Sequence, residues 1–107
     1  MITATGRLGQ SVTFDGRYVV VRKRRGEFSV PLDAVQAVGF GRLPVRERYI
    51  RFTVAGHVTM NARGNLRKRI LADDYAVLYW AKRESEFTAL RDAFNAARSG
   101  QAASPLA

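Results

Sequence analysis

Apolar and polar positions alternate through most of the first half of the chain, at the two-residue period of half-buried strands. Ser11-Val12-Thr13-Phe14 runs into Asp15-Gly16, a strong turn pair, and Tyr18 to Val21 resumes an apolar, β-branched run. Residues 10–23 are therefore predicted to form a hairpin. Arg22-Lys23-Arg24-Arg25-Gly26 closes that strand with a second turn. Phe28, Val30 and Leu32 share one face of a third strand, in which Pro31, unable to donate to a ladder, marks an edge or a bulge. Val35, Val38 and Phe40 carry the run to Gly39 and Gly41, where a bend is expected, and Arg42 to Arg48 reads as a loop of alternating charge. Ile50, Phe52 and Val54, interleaved with Arg51 and Thr53, make the clearest half-buried strand. Ala55-Gly56 ends it, and His57 to Asn61 reads as a further short strand.

The pattern then changes. Ala62 to Asp74 is polar, basic and poorly periodic, and predicts no element. Tyr75 to Trp80 is apolar at every position, as in a strand covered on both faces. Phe87, Leu90, Phe94 and Ala97 form one stripe of an amphipathic helix from about Ser85 to Arg98, with Ser85 as N-cap and Arg98 and Gly100 as C-terminal signals. Strands followed by one terminal helix make an α+β plan, and a single helix can cover an antiparallel sheet only if the sheet curls. The expected fold is thus a curled antiparallel β-sandwich or open barrel of about six or seven strands capped by the helix. It occupies a single domain over residues 1–98, and residues 99–107 form a flexible tail.

Composition narrows the function. The chain has 107 residues, 47% of them apolar, which excludes a disordered chain and suits one core. The absence of cysteine excludes disulfides, thiolate metal sites and a cysteine nucleophile. The first ten residues lack the apolar stretch of a secretory signal, and no uncharged apolar run approaches the roughly 18 residues of a membrane span, so a cytoplasmic location is expected. Net charge is +9, and it belongs to the first two thirds: residues 1–70 carry 14 Lys and Arg against 4 Asp and Glu, residues 71–107 carry 4 against 5. Of the 18 basic residues 15 are Arg, whose planar fork suits phosphate or carboxylate, although a GC-rich genome would produce the same bias.

The stretches VTFDGRYVVVRKR, FSVPLDAVQAV, YIRFTVAG and YAVLYWAKRESEFTALRDAF, spanning most of Val12 to Ala97, carry a resemblance. Their order resembles a bacterial pleckstrin-homology-like domain, and their wording resembles the actinobacterial family of unknown function DUF4429. The resemblance implies a curled sandwich or open barrel plugged at one end by the helix. It brings no catalytic signature and no assigned role, and it fits an actinobacterial protein or a small host-binding protein of a bacteriophage.

Arg22, Lys23, Arg24 and Arg25 lie at a strand end, where a pleckstrin-like fold often binds phosphoinositide phosphates; the alternative is a solvated hairpin tip. Arg67, Lys68 and Arg69, with Arg63 nearby, form a second basic cluster. Together the two could neutralise the phosphates of nucleic acid or anionic lipid. Leu43, Pro44 and Val45 place apolar side chains on a charged loop, as an interface would, or else fold back over the core. Trp80 either covers the base of the helix near Phe87 or meets a partner. His57 stands without a triad partner, Asp73-Asp74 reads as a strand cap or a counterweight to Arg67–Arg69, and no nucleotide- or metal-binding spacing occurs. The expectation is a non-catalytic interaction module with no cofactor, metal or small-molecule substrate. It would bind a protein partner or itself through a sheet edge, a groove beside the helix, or Leu43, Val45 and Trp80. The alternative is an electrostatic binder of nucleic acid or an anionic membrane surface.

Overall fold

A computed structural model of the chain describes residues 1–56 and 65–103. Strands β1 (Ile2–Thr5), β2 (Ser11–Phe14), β3 (Tyr18–Lys23) and β4 (Gly26–Pro31) pair in order as a four-stranded antiparallel sheet. Strands β5 (Val35–Arg42), β6 (Glu47–Val54) and β7 (Ala76–Trp80) form a three-stranded antiparallel sheet. Helix α1 (Leu66–Ala72) precedes β7, and helix α2 (Glu84–Ala103) follows it. The class is α+β, with two antiparallel sheets and a C-terminal helix, and neither sheet closes into a barrel. No helix among the described residues is long and apolar enough to cross a membrane.

The predicted hairpin is β2–β3. Its turn is held by Asp15, whose Oδ1 accepts the N–H groups of Arg17 and Tyr18 at 2.8 Å each, contacts that also hold its carboxyl below the usual range. The alternation buries Val12, Phe14, Val19, Val21 and Val30 on one face, and Pro31 ends an edge strand, as expected. Strand β1 went unread because its four residues bury one small side chain, Ala4. The glycines of β5 make no bend. Gly41 sits opposite Tyr49, and a Cβ there would lie 2.1 Å from that ring, so the glycine makes room for a cross-strand aromatic. The expected loop from Arg42 to Arg48 shrinks to a tight turn over residues 43–46, flanked by paired strand on both sides.

Helix α2 joins the sheets. Phe87, Leu90 and Phe94 are fully buried; Phe87 stacks on Tyr79 of β7 at 4.0 Å between centroids. Phe94 meets Phe14 of the first sheet and Phe52 of the second edge-on, at 5.7 and 6.3 Å. The helix starts at Glu84 after a 3₁₀ turn over Ala81–Arg83, so Ser85 lies in its first turn and is not the cap. It continues through Gly100 to Ala103, so residues 99–103 extend the helix where a tail was expected; residues 104–107 lie outside the described part.

Strand β7 is covered on both faces, as its unbroken apolar run requires. Val77 and Tyr79 enter the main core, while Ala76 and Leu78 pack with Ile70 of α1 in a second, smaller cluster edged by Leu43, Tyr49 and Leu71. Helix α1 therefore corrects the reading of Ala62 to Asp74 as formless. Asn65 caps it, its side chain accepting the N–H of Lys68 at 3.0 Å, and a seven-residue helix is too short to show a period around one buried Ile70. The short strand expected at His57 to Asn61 falls outside the described residues.

Candidate functional site

Much of the two basic runs is engaged within the fold. Lys23 is buried, and its Nζ donates to the carbonyls of Asp73, Ala76 and Ile70 at 2.6, 2.7 and 3.1 Å. Arg25 donates to the carbonyls of Leu71 and Ala72 at 2.8 Å each and pairs with Asp74. These two side chains thus satisfy the carbonyls that a helix leaves open at its C-terminus, and their positive charge suits the negative end of α1. Burial, and after it the charge of Arg25, lowers the Lys23 pKa from 10.5 to about 8. Arg22 is paired with Glu27 across the hairpin, and Arg24 is exposed with no ion pair among the described residues. Arg67 and Lys68 stand at the opposite, N-terminal end of α1; Arg67 pairs with Glu47, while Lys68 and Arg69 are exposed. The acidic doublet lies at the C-terminal end of α1, with Asp73 as its C-cap: Asp73 Oδ1 accepts the Tyr75 N–H at 2.9 Å, Asp73 Oδ2 lies 3.6 Å from Arg51, and Asp74 holds Arg25.

Leu43 and Val45 of the β5–β6 turn and the distant Trp80 at the end of β7 line a single cleft of about 520 Å³. Strand alternation turns Tyr79 toward Phe87 and Trp80 the other way, which overturns the placement of Trp80 at the helix base. The β5–β6 turn forms one wall and is tied to the end of β7 by the Ala81 N–H, which donates to the Arg46 carbonyl at 2.9 Å. Val45 is 85% exposed, whereas Leu43 is half-buried against the second cluster and so serves both readings proposed for it. Leu66 at the start of α1 is also exposed and faces the same cleft.

Its charged lining went unread in sequence. Glu47 is buried under the cleft and pairs with both Arg7 of the β1–β2 loop and Arg67 of α1, the latter at 3.3 Å. The Arg7 guanidinium lies 4.0 Å over the Trp80 ring, and the Arg7 N–H donates to the Leu78 carbonyl at 2.7 Å. Gly6 permits that approach, since a Cβ there would come within 2.5 Å of the same carbonyl. Arg42 also lines the cleft, without an ion pair among the described residues. One signal was present: Glu47 is the sole acidic residue between Asp33 and Asp73. A second depression, beyond Val45 and Trp80, is lined by Arg46, Arg48 and Lys82.

Strain gathers here too. Among the described residues the non-glycine positions with positive φ are Leu8 (56°), Val45 (61°) and Arg46 (60°), in the two loops that carry Arg7 and the cleft wall. For an L-residue this region costs roughly 1–2 kcal/mol, and a β-branched valine is disfavoured there most of all. No family model, no curated protein and no solved structure matches the chain.

Proposed function

We propose that the chain is a non-catalytic interaction module that binds a protein partner at the cleft between the β5–β6 turn, the β1–β2 loop and α1. The observation that carries this reading is Val45: a large apolar side chain, almost fully exposed, held in a strained turn beside a half-exposed tryptophan. Strain and exposed apolar surface both lower stability, and their meeting in one place is typical of a site kept for binding. Four strands, then three with α1 inserted before the last, then a helix packed against both sheets is also compatible with a pleckstrin-homology-like plan, which supports the likeness carried by the sequence. Binding of nucleic acid or anionic lipid through the two basic runs is less well supported, because Lys23, Arg25, Arg22 and Arg67 already have partners within the fold.

The test is capture from a bacterial lysate, with and without nuclease and at low and high salt, by the immobilised chain and by its Val45→Asp variant. A protein retained at high salt by the parent chain and lost by the variant, at unchanged melting temperature, is the expected result. Capture that survives Val45→Asp, or that disappears with nuclease and salt, rejects the cleft as the binding site.

A further inference from the structure

We infer that the segment this cleft takes from its partner carries a carboxylate next to a large apolar side chain; the inference rests on the protein-binding reading above and specifies its chemistry. The argument is charge complementarity. Among the described residues, three guanidinium groups, those of Arg7, Arg42 and Arg67, share the cleft with one carboxylate, Glu47. Glu47 lies beneath and draws Arg7 and Arg67 together, so those two are oriented before any ligand arrives. Arg67 reaches Glu47 through Nε, and its terminal nitrogens have no hydrogen bond among the described residues. Arg42 brings a full fork with no ion pair among the described residues. An incoming carboxylate is the group that uses such donors best, because guanidinium and carboxylate match in a two-point contact.

The apolar part of the ligand follows from the remaining walls. Leu43, Pro44, Val45, Leu66 and Trp80 surround those cations, so a carboxylate held by Arg42 places its neighbouring side chain on hydrocarbon and indole. Beyond the Val45–Trp80 ridge the second depression, with Arg46, Arg48 and Lys82, is again cationic, and the whole chain is at +9. An acidic segment crossing the ridge therefore meets favourable charge on both sides, whereas a basic or purely apolar one does not.

A random decapeptide display library panned on the full chain and on its Val45→Ser variant tests this. Trp80, the chain's only tryptophan, lies in the cleft and reports occupancy by its own fluorescence. The expected consensus pairs Asp or Glu with Leu, Ile, Phe or Trp and is lost in the variant. Titrating the consensus peptide should shift Trp80 emission, and Arg42→Gln, or Gln in place of the peptide's acid, should each raise Kd about tenfold, as for a lost charge-assisted contact. A Val45-dependent consensus without acidic residues, unaffected by Arg42→Gln, overturns the inference while leaving the protein-binding cleft in place. Selection of no Val45-dependent peptide at all overturns both. So does a Trp80 response confined to phosphatidylglycerol vesicles or single-stranded DNA, which would make the cleft a polyanion site.

Discussion

Lys23 shows how far a side chain's role depends on what folds over it. Its neighbours Arg22 and Arg24 face solvent, while Lys23 itself, the last residue of β3, points inward to the carbonyls of Ile70 in α1, Asp73 at its C-cap and Ala76 at the start of β7. Replacing it with Met leaves those carbonyls without their donor, and we expect a lower melting temperature at pH 7, by roughly 1–3 kcal/mol for a buried acceptor left unpaired. The pH dependence has a definite sign. The folded chain holds Lys23 at a pKa of about 8 against 10.5 for an unperturbed lysine, so between those values the unfolded chain binds more protons and the unfolding free energy rises with pH. Above pH 10 Tyr79 acts the other way, because burial raises its folded pKa and the unfolded tyrosine ionises first. Thermal melts from pH 7 to 10 should therefore show stability rising through pH 8 to 10 in the parent chain and a flatter profile in Lys23→Met. A parent profile that falls across that window would contradict the buried, charged lysine.

At the scale of elements, two pieces carry opposite duties. Helix α2 is structural: Leu90 is fully buried between the sheets, and Leu90→Ala should cost roughly 2–5 kcal/mol, read as a loss of melting temperature or of denaturant midpoint. An unchanged midpoint would mean that α2 is not docked on the core. The β5–β6 turn is the reverse case. Val45 and Arg46 both adopt positive φ as the central residues of the turn that the Glu47 N–H closes on the Pro44 carbonyl, a geometry that Asn-Gly adopts without strain. Val45→Asn with Arg46→Gly should therefore raise the melting temperature by relieving about 1–2 kcal/mol per strained residue. The same change should weaken binding at the cleft, because it removes the exposed apolar tip. A double variant that is both more stable and fully binding-competent would show that the strained turn has no part in recognition.

For the molecule as a whole, the question is what +9 is for. Much of it is internal. Arg25 and Lys23 hold the end of α1, Arg7 and Arg67 hold Glu47, and Arg98 donates to the Gln36 carbonyl from α2. Arg24 and Lys68, exposed near opposite ends of α1, can be removed without touching those contacts. Arg24→Ser with Lys68→Ser should leave the melting temperature within about 0.5 kcal/mol of parent stability, the usual range for surface changes. Its affinity for a cleft-binding peptide should also be unchanged. A large loss of binding, steepest at low salt, would identify a long-range polyanion field as the dominant attraction.

Local chemistry determined a good part of this protein. The β2–β3 hairpin, the edge position of Pro31, the interior faces of β4 and β6, the double coverage of β7 and the buried stripe of α2 all follow from periods of two and of 3.6 residues acting within one element. Tertiary structure decided what those periods cannot express. Helix α1 exists because a second, small cluster and two basic side chains from another hairpin hold its end, so the run that looked like a phosphate site became a clamp. Trp80 left the helix side because Tyr79 occupied it. Leu43 and Val45 kept their exposed or half-exposed place, but only pairing of β6 with β7 set Trp80 beside them, and only the approach of the β1–β2 loop and α1 brought Arg7 and Arg67 to Glu47. Contacts between residues dozens of positions apart depend on which elements come to lie side by side, and that is fixed by packing across the entire chain rather than by any local pattern.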